Sequence, residues 1–191
     1  MIPRSISIFG ATGSVGLSTL DLIRQHRSQY RVVALTANGN AAALAKLAIE
    51  FGAELAVVAE EAAYPALKDA LQGTGIEAAA GAQALVEAAQ RDVDWTMASI
   101  VGCAGLPPTM AAIQAGKTVA LANKEALVSA GALMMAAVRQ SGAALLPVDS
   151  EHNAIFQCLA GSKLDHVRKI TLTASGGPFR SFSLDQMRTV T

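Results

Sequence analysis

"SISIFGATGSVGLSTLDLIRQ", Ser5 to Gln25, decides how the rest of the chain is read. Ser5–Phe9 is a short apolar run of strand character. Gly10, Gly13 and Gly16 follow directly at G-x-x-G-x-x-G spacing, and a helix is predicted from near Ser14. Glycines in that position let the backbone turn tightly and approach a pyrophosphate. The helix start then offers it unpaired N–H groups and the positive end of a dipole. Strand, glycine loop and helix at the start of a βαβ pattern predict a dinucleotide site; a glycine triplet alone would predict only a turn.

Outward from this unit the same alternation continues. Strands are predicted over Val32–Leu35, Leu55–Val58, Trp95–Ser99, Thr118–Leu121 and Ala144–Val148. They are nearly continuous apolar segments, as expected of parallel strands covered on both faces. Helical spacing marks Thr19–Gln25, Ala41–Phe51, Ala62–Leu71 and a long segment from near Glu125, whose Leu127, Gly131, Met134 and Val138 form a predicted buried stripe. The fold class is α/β: a Rossmann-like doubly wound parallel sheet. In such sheets ligands sit beyond the carboxyl ends of the strands. That edge collects Gly10–Gly16, Thr36–Asn40, Ile100–Gly105, Ala122–Glu125 and Asp149–His152.

The pattern changes after His152. Asn153–Leu159 reads as a short helix, and residues 167–173 as a strand of alternating polarity. The turn-rich Ser175-Gly176-Gly177-Pro178-Phe179 follows. The predicted division is a dinucleotide-binding domain over residues 1–145 and the beginning of an α+β domain over 146–191.

Composition narrows the function. Fifteen basic and fifteen acidic side chains cancel and aromatics make up 4%, so neither a basic face nor stacking platforms point to nucleic acid. No apolar run approaches membrane-spanning length, and no signal-peptide pattern follows Met1. Two cysteines, Cys103 and Cys158, do not make a disulfide framework, and a cytoplasmic location is expected.

The end of the second strand reads Thr36-Ala37-Asn38-Gly39-Asn40. An NAD enzyme usually carries an acid there for the ribose 2′-hydroxyl. With no acid to repel a 2′-phosphate, NADP is expected, held by hydroxyl, amide and backbone donors. At the end of the last strand, Asp149 and Glu151 stand two apart. They suit a hard divalent cation, or equally a helix cap with an acid in the first turn. Lys124 suits a developing oxyanion or a phosphate, or a surface ion pair. His152 reads as a supporting or helix-start residue, with a third metal ligand as the other reading, and His26 and His166 read as solvated.

Four motifs resemble one family: "GATGSVG" (10–16), "ALANKEAL" (120–127), "LLPVDSEHNAIFQ" (145–157) and "LTASGGPFR" (172–180). Together they are similar to 1-deoxy-D-xylulose 5-phosphate reductoisomerases, across essentially the whole chain. The resemblance implies an NADPH-dependent enzyme that rearranges a phosphorylated sugar, 1-deoxyxylulose 5-phosphate, and reduces it to 2-C-methylerythritol 4-phosphate. It also implies a divalent cation (Mn²⁺, Mg²⁺ or Co²⁺) and a homodimer. It assigns the cofactor to Gly10, Thr12, Gly13, Ser14, Val15, Asn38, Gly39, Asn40, Asn123 and Glu125. Substrate falls to Lys124, Ser150, Glu151 and Ser175, metal to Asp149 and Glu151, and catalysis to Lys124, Asp149 and Glu151. Because the family uses the serine between the two acids, the chain is expected to curl there. Many relatives carry a basic residue at Gly39, and their chains are about twice as long, so an incomplete, inactive N-terminal portion is expected. Two other readings remain: a semialdehyde dehydrogenase with Cys103 as nucleophile, and a non-catalytic dinucleotide sensor.

Overall fold

The computed structural model describes residues 2–173 and 177–190. Its first unit, ending at Asp149, alternates strand and helix. The order is β1 (Arg4–Phe9), α1 (Ser14–Gln25), β2 (Tyr30–Ala37), α2 (Ala41–Phe51), β3 (Leu55–Val58), α3 (Tyr64–Ala70), β4 (Glu77–Ala80), α4 (Gly81–Ala89), β5 (Trp95–Ala98), α5 (Leu106–Gln114), β6 (Thr118–Leu121), α6 (Lys124–Ser141) and β7 (Ala144–Pro147). The strands form one seven-stranded sheet in the order β4-β3-β2-β1-β5-β6-β7, every pairing parallel.

Alternation along the strands builds two cores, because successive side chains leave a strand on opposite faces. Ile6 and Ile8 of β1 pack with Leu20 and Ile23 of α1, and with Leu44, Ala48 and Phe51 of α2. Phe9, one residue on, packs with Leu85 of α4, Ile113 of α5 and Met134 of α6. Helices α1–α3 therefore cover one face and α4–α6 the other. Pro147 lies in β7, an edge strand, where a missing ladder donor is tolerated.

The six strands expected in this unit are all present. Not foreseen were β4, α4 and α5. The sequence of β4 is Glu-Ala-Ala-Ala, which has helical rather than strand propensity, and it is a strand because Leu55–Val58 offers it a parallel partner. The stripe expected along α6 is also corrected. Met134 is buried, but Leu127 is exposed, and Ala126 takes the core position at the helix start. Ala130 has non-helical dihedrals (φ −138°, ψ 23°), so the helix face changes phase midway.

The second unit, Ser150–Thr191, contains α7 (Ser150–Leu159) and the short α8 (Leu184–Met187). None of its described residues is buried. The strand expected over residues 167–173 is absent; these residues are irregular and mostly exposed. An alternating pattern becomes a strand only beside a partner, and the described part of this unit contains no other strand.

Candidate functional site

The sheet order reverses between β1 and β5. After β4 the chain crosses back over the sheet, and the loops leaving β1 and β5 diverge to opposite sides. A crevice at their carboxyl ends is where this topology places ligands.

The β1–α1 loop is built for close approach. Gly10 has φ +85°, and a Cβ there would lie 2.7 Å from the Ser99 carbonyl oxygen. A Cβ on Gly16 would drive into the Gly10 carbonyl, so the helix sits against the loop at a distance only glycine allows. The Gly10 N–H donates to Thr36 Oγ1 at 3.0 Å and the Ala11 N–H to the Thr36 carbonyl at 2.7 Å, tying the loop to β2. Ser99 Oγ donates to the Phe9 carbonyl at 2.6 Å and ties it to β5. Gly13 caps α1 with extended backbone and no side-chain acceptor, and no acid lies in the first turn. The helix start is thus open to an anion.

In front of this loop lies a cavity of about 290 Å³, lined by Gly10, Thr12, Gly13, Asn38, Leu85 and Ile100, among others. A smaller one, of about 140 Å³, is lined by Gly13, Ser14, Val15, Ile100, Lys124 and Glu125. The two share Gly13, Ser99, Ile100 and Val101, so they follow one groove along the sheet edge. The loops leaving β1, β2, β5 and β6 line this groove.

At the β2 end, Asn40 caps α2 by accepting the Ala43 N–H at 3.1 Å. Asn38 donates its side-chain amide to Glu60 Oε1 at 2.5 Å, and the Glu60 N–H donates to the Asn38 carbonyl at 3.0 Å. No acid ends the second strand, as the sequence shows, but an acid from beyond β3 stands at that end in space. Glu60 had a signal: it is the first charged residue after the apolar β3, on the same carboxyl edge.

At the β6 end, Asn123 is 2% exposed and its amide is heavily committed. Its Nδ2 donates to the Ile100 carbonyl at 2.7 Å and the Gly102 carbonyl at 2.8 Å, and its Oδ1 accepts the Ala126 N–H at 3.0 Å. Its side chain holds the β5 loop against the start of α6. Lys124 and Glu125, the next residues, are exposed and line the groove.

The β7 ladder continues through the Val148 N–H, which donates to the Leu121 carbonyl at 3.0 Å. Asp149, half-buried, is the last residue of the first unit. In the second unit Ser150 opens α7 and Glu151 is exposed in its first turn, so the chain curls where expected. Among the described residues no group of three or more His, Cys, Asp or Glu side chains is gathered to hold a metal ion. Ser175 lies outside the described residues. Cys103 is exposed, with its Sγ 3.9 Å from Ser129 Oγ, a hydroxyl that cannot take its proton as a base would.

On the opposite edge, Asp94 accepts the Ser5 N–H at 2.6 Å and the Ser5 hydroxyl at 2.9 Å, clasping the starts of β1 and β5. These hydrogen bonds, first the backbone one and then that of the hydroxyl, hold its carboxyl below the usual value of 3.8.

Comparison with known proteins assigns the chain. The family model of 1-deoxy-D-xylulose 5-phosphate reductoisomerase matches residues 6–131, and that of the C-terminal domain of the same enzyme matches residues 145–191. The chain belongs to the 1-deoxy-D-xylulose 5-phosphate reductoisomerase family. The reductoisomerase of Zymomonas mobilis is 61% identical over 189 residues, covering 99% of this chain and 49% of that protein. A solved structure of the Zymomonas mobilis reductoisomerase in complex with NADPH superposes with a TM-score of 0.89 at 60% identity, covering 100% of this chain and 50% of that one. Another reductoisomerase, in complex with NADPH, fosmidomycin and magnesium, gives 0.85 at 42% identity, over 98% of this chain and 49% of that one. The chain spans about half the length of the curated reductoisomerases it matches. Membership in this family removes the semialdehyde dehydrogenase reading of Cys103.

Proposed function

We propose that this chain supplies the NADPH-binding part, and two metal carboxylates, of an enzyme that converts 1-deoxyxylulose 5-phosphate to 2-C-methylerythritol 4-phosphate. The observation that carries this reading is the glycine cradle at the sheet's switch point, opening on a groove that runs from Asn38 to Lys124. Relatives solved with NADPH and with magnesium support it.

In this reading the first-turn amides of α1 at Ser14 and Val15, with Thr12 and Gly13, hold the pyrophosphate. Asn38, Gly39 and Asn40 meet the adenosine ribose. Asn123 acts as a positioning residue, fixing the β5 loop and presenting Glu125 at the nicotinamide end and Lys124 toward the substrate. Lys124 provides a cation for phosphate or oxyanion oxygens of the sugar. Ser150 and Ser175 contribute hydroxyls to the substrate.

Asp149 and Glu151 fit a divalent cation by chemistry: both are hard oxygen donors, two residues apart across the start of α7. They fill only part of an octahedral shell. When bound, the cation supplies polarisation of the sugar carbonyl and NADPH supplies hydride. The partners of this reading are the phosphorylated sugar and a second copy in a homodimer, with a cytoplasmic location; no described helix is long and apolar enough to cross a membrane.

The test is NADPH oxidation at 340 nm by the whole protein with substrate and Mn²⁺. Glu151→Gln is expected to lower the rate by about two to three orders of magnitude, as loss of an electrostatic group at the reacting centre does. An undiminished rate overturns the assignment of Glu151. NADPH binding with no turnover under any divalent cation would favour the sensor reading instead.

A further inference from the structure

Glu60 stands beside Asn38, at the end of the second strand, where dinucleotide-binding sheets discriminate the 2′ group. Its backbone N–H donates to the Asn38 carbonyl at 3.0 Å, and its carboxylate accepts the Asn38 side-chain amide at 2.5 Å. A Cβ built on Gly39 would overlap that same carboxylate. The acid therefore lies along Asn38-Gly39, the segment that follows β2, and Asn38 lines the groove. Dinucleotide-binding sheets selective for NAD place an acid on the second strand at this end, where it accepts the 2′-hydroxyl. Here the strand has none, and the neighbouring strand's loop brings one in.

We propose that Glu60 is a specificity-determining residue that limits the preference for NADPH over NADH; this rests on the nucleotide-binding reading above. Two effects act together. The carboxylate takes up one of the two N–H groups of the Asn38 amide, so a 2′-phosphate meets a donor already half spent. Its charge also opposes the phosphate, with only partial screening at ribose distance. Toward NADH the same carboxylate accepts the 2′-hydroxyl and is favourable. Asn40 is fixed by its oxygen, which accepts the Ala43 N–H, and its Nδ2 is a further donor at this end.

The experiment measures Kd for NADPH and for NADH on the whole protein, wild type, Glu60→Gln and Glu60→Ala, at low and high salt. Glu60 is exposed, so both variants are expected to fold. Glu60→Gln keeps an acceptor for Asn38 and removes the charge. It should tighten NADPH about tenfold and weaken NADH by about threefold, the range expected for one charge at partly screened distance. The NADPH gain should shrink at high salt. Glu60→Ala should move the ratio in the same direction. A ratio unchanged within about twofold in Glu60→Gln, or one shifted by Ala alone, overturns the proposal while leaving the coenzyme reading intact. Failure of wild type to bind either nucleotide overturns both.

Discussion

Phe9 and Phe51 are 2% and 1% exposed, while Phe156, Phe179 and Phe182 are 45%, 40% and 41% exposed. The first two lie in the sheet unit, the other three in the unit that begins at Ser150. The residue type is the same and the surroundings are opposite. In the sheet unit every apolar strand face meets a helix stripe. In the second unit α7 carries Ile155, Phe156 and Leu159, but no described residue there is buried. An apolar side chain stabilises a fold only through the surface it removes from water. The difference is thus one of available partners rather than of hydrophobicity.

The widest gap should appear when a large side chain is cut in each unit of this chain. Ile8→Ala, in a fully buried site of β1, is expected to cost about 2–5 kcal/mol, while Phe156→Ala should cost less than about 1 kcal/mol. Urea unfolding of the two variants measures this. Equal losses would break the comparison.

Next in size is the loop that the sheet unit supports. Gly13→Val should weaken NADPH binding about a hundredfold, because its backbone borders the groove, where only small groups permit close approach. Its Cβ would stand 3.3 Å from the Gly10 carbonyl, tight but not overlapping, so circular dichroism should stay native. Unchanged affinity in a folded variant would remove the pyrophosphate from this loop.

A matched pair of asparagines sharpens the contrast further. Asn123→Ala leaves the Ile100 and Gly102 carbonyls and the Ala126 N–H without their partner, and should cost about 1–3 kcal/mol. Asn153→Ala, on half-exposed α7, should stay within about 0.5 kcal/mol in thermal melts. Asn123→Ala should also weaken NADPH by loosening the β5 loop.

The smallest effect is electrostatic and lies away from the groove. Asp94 has a carboxyl held below its usual value by Ser5, so the stability it adds is present above about pH 3.8 and is lost as pH falls through the lower folded value. Asp94→Asn should lower stability near neutrality and flatten its decline below pH 4, with nucleotide affinity unchanged. A decline as steep as wild type would remove Asp94 from the acid response.

Much of this was legible in the chain. The strands β1, β2, β3, β5, β6 and β7 announce themselves as short apolar runs, and the glycine spacing names the loop after β1, because backbone sterics and two-sided burial impose local requirements on sequence. The strand β4 was not legible, since Glu-Ala-Ala-Ala becomes a strand only beside β3. The strand expected over residues 167–173 failed for the converse reason: the pattern alternates, but the described residues of its unit hold no strand for it to pair with.

The chain by itself therefore determined the layered α/β architecture, the glycine loop after β1, and the placing of Lys124, Asp149 and the start of α7 at strand ends. Only the tertiary structure decided that Asn123 is spent on clamping the Ile100–Gly102 loop, and that an acid lies at the end of β2. Glu60 is 22 residues from Asn38. No local pattern links them; the parallel pairing of β2 with β3 brings their loops side by side, and a carboxylate acts on whatever lies within a few ångströms of it, whatever the distance along the chain.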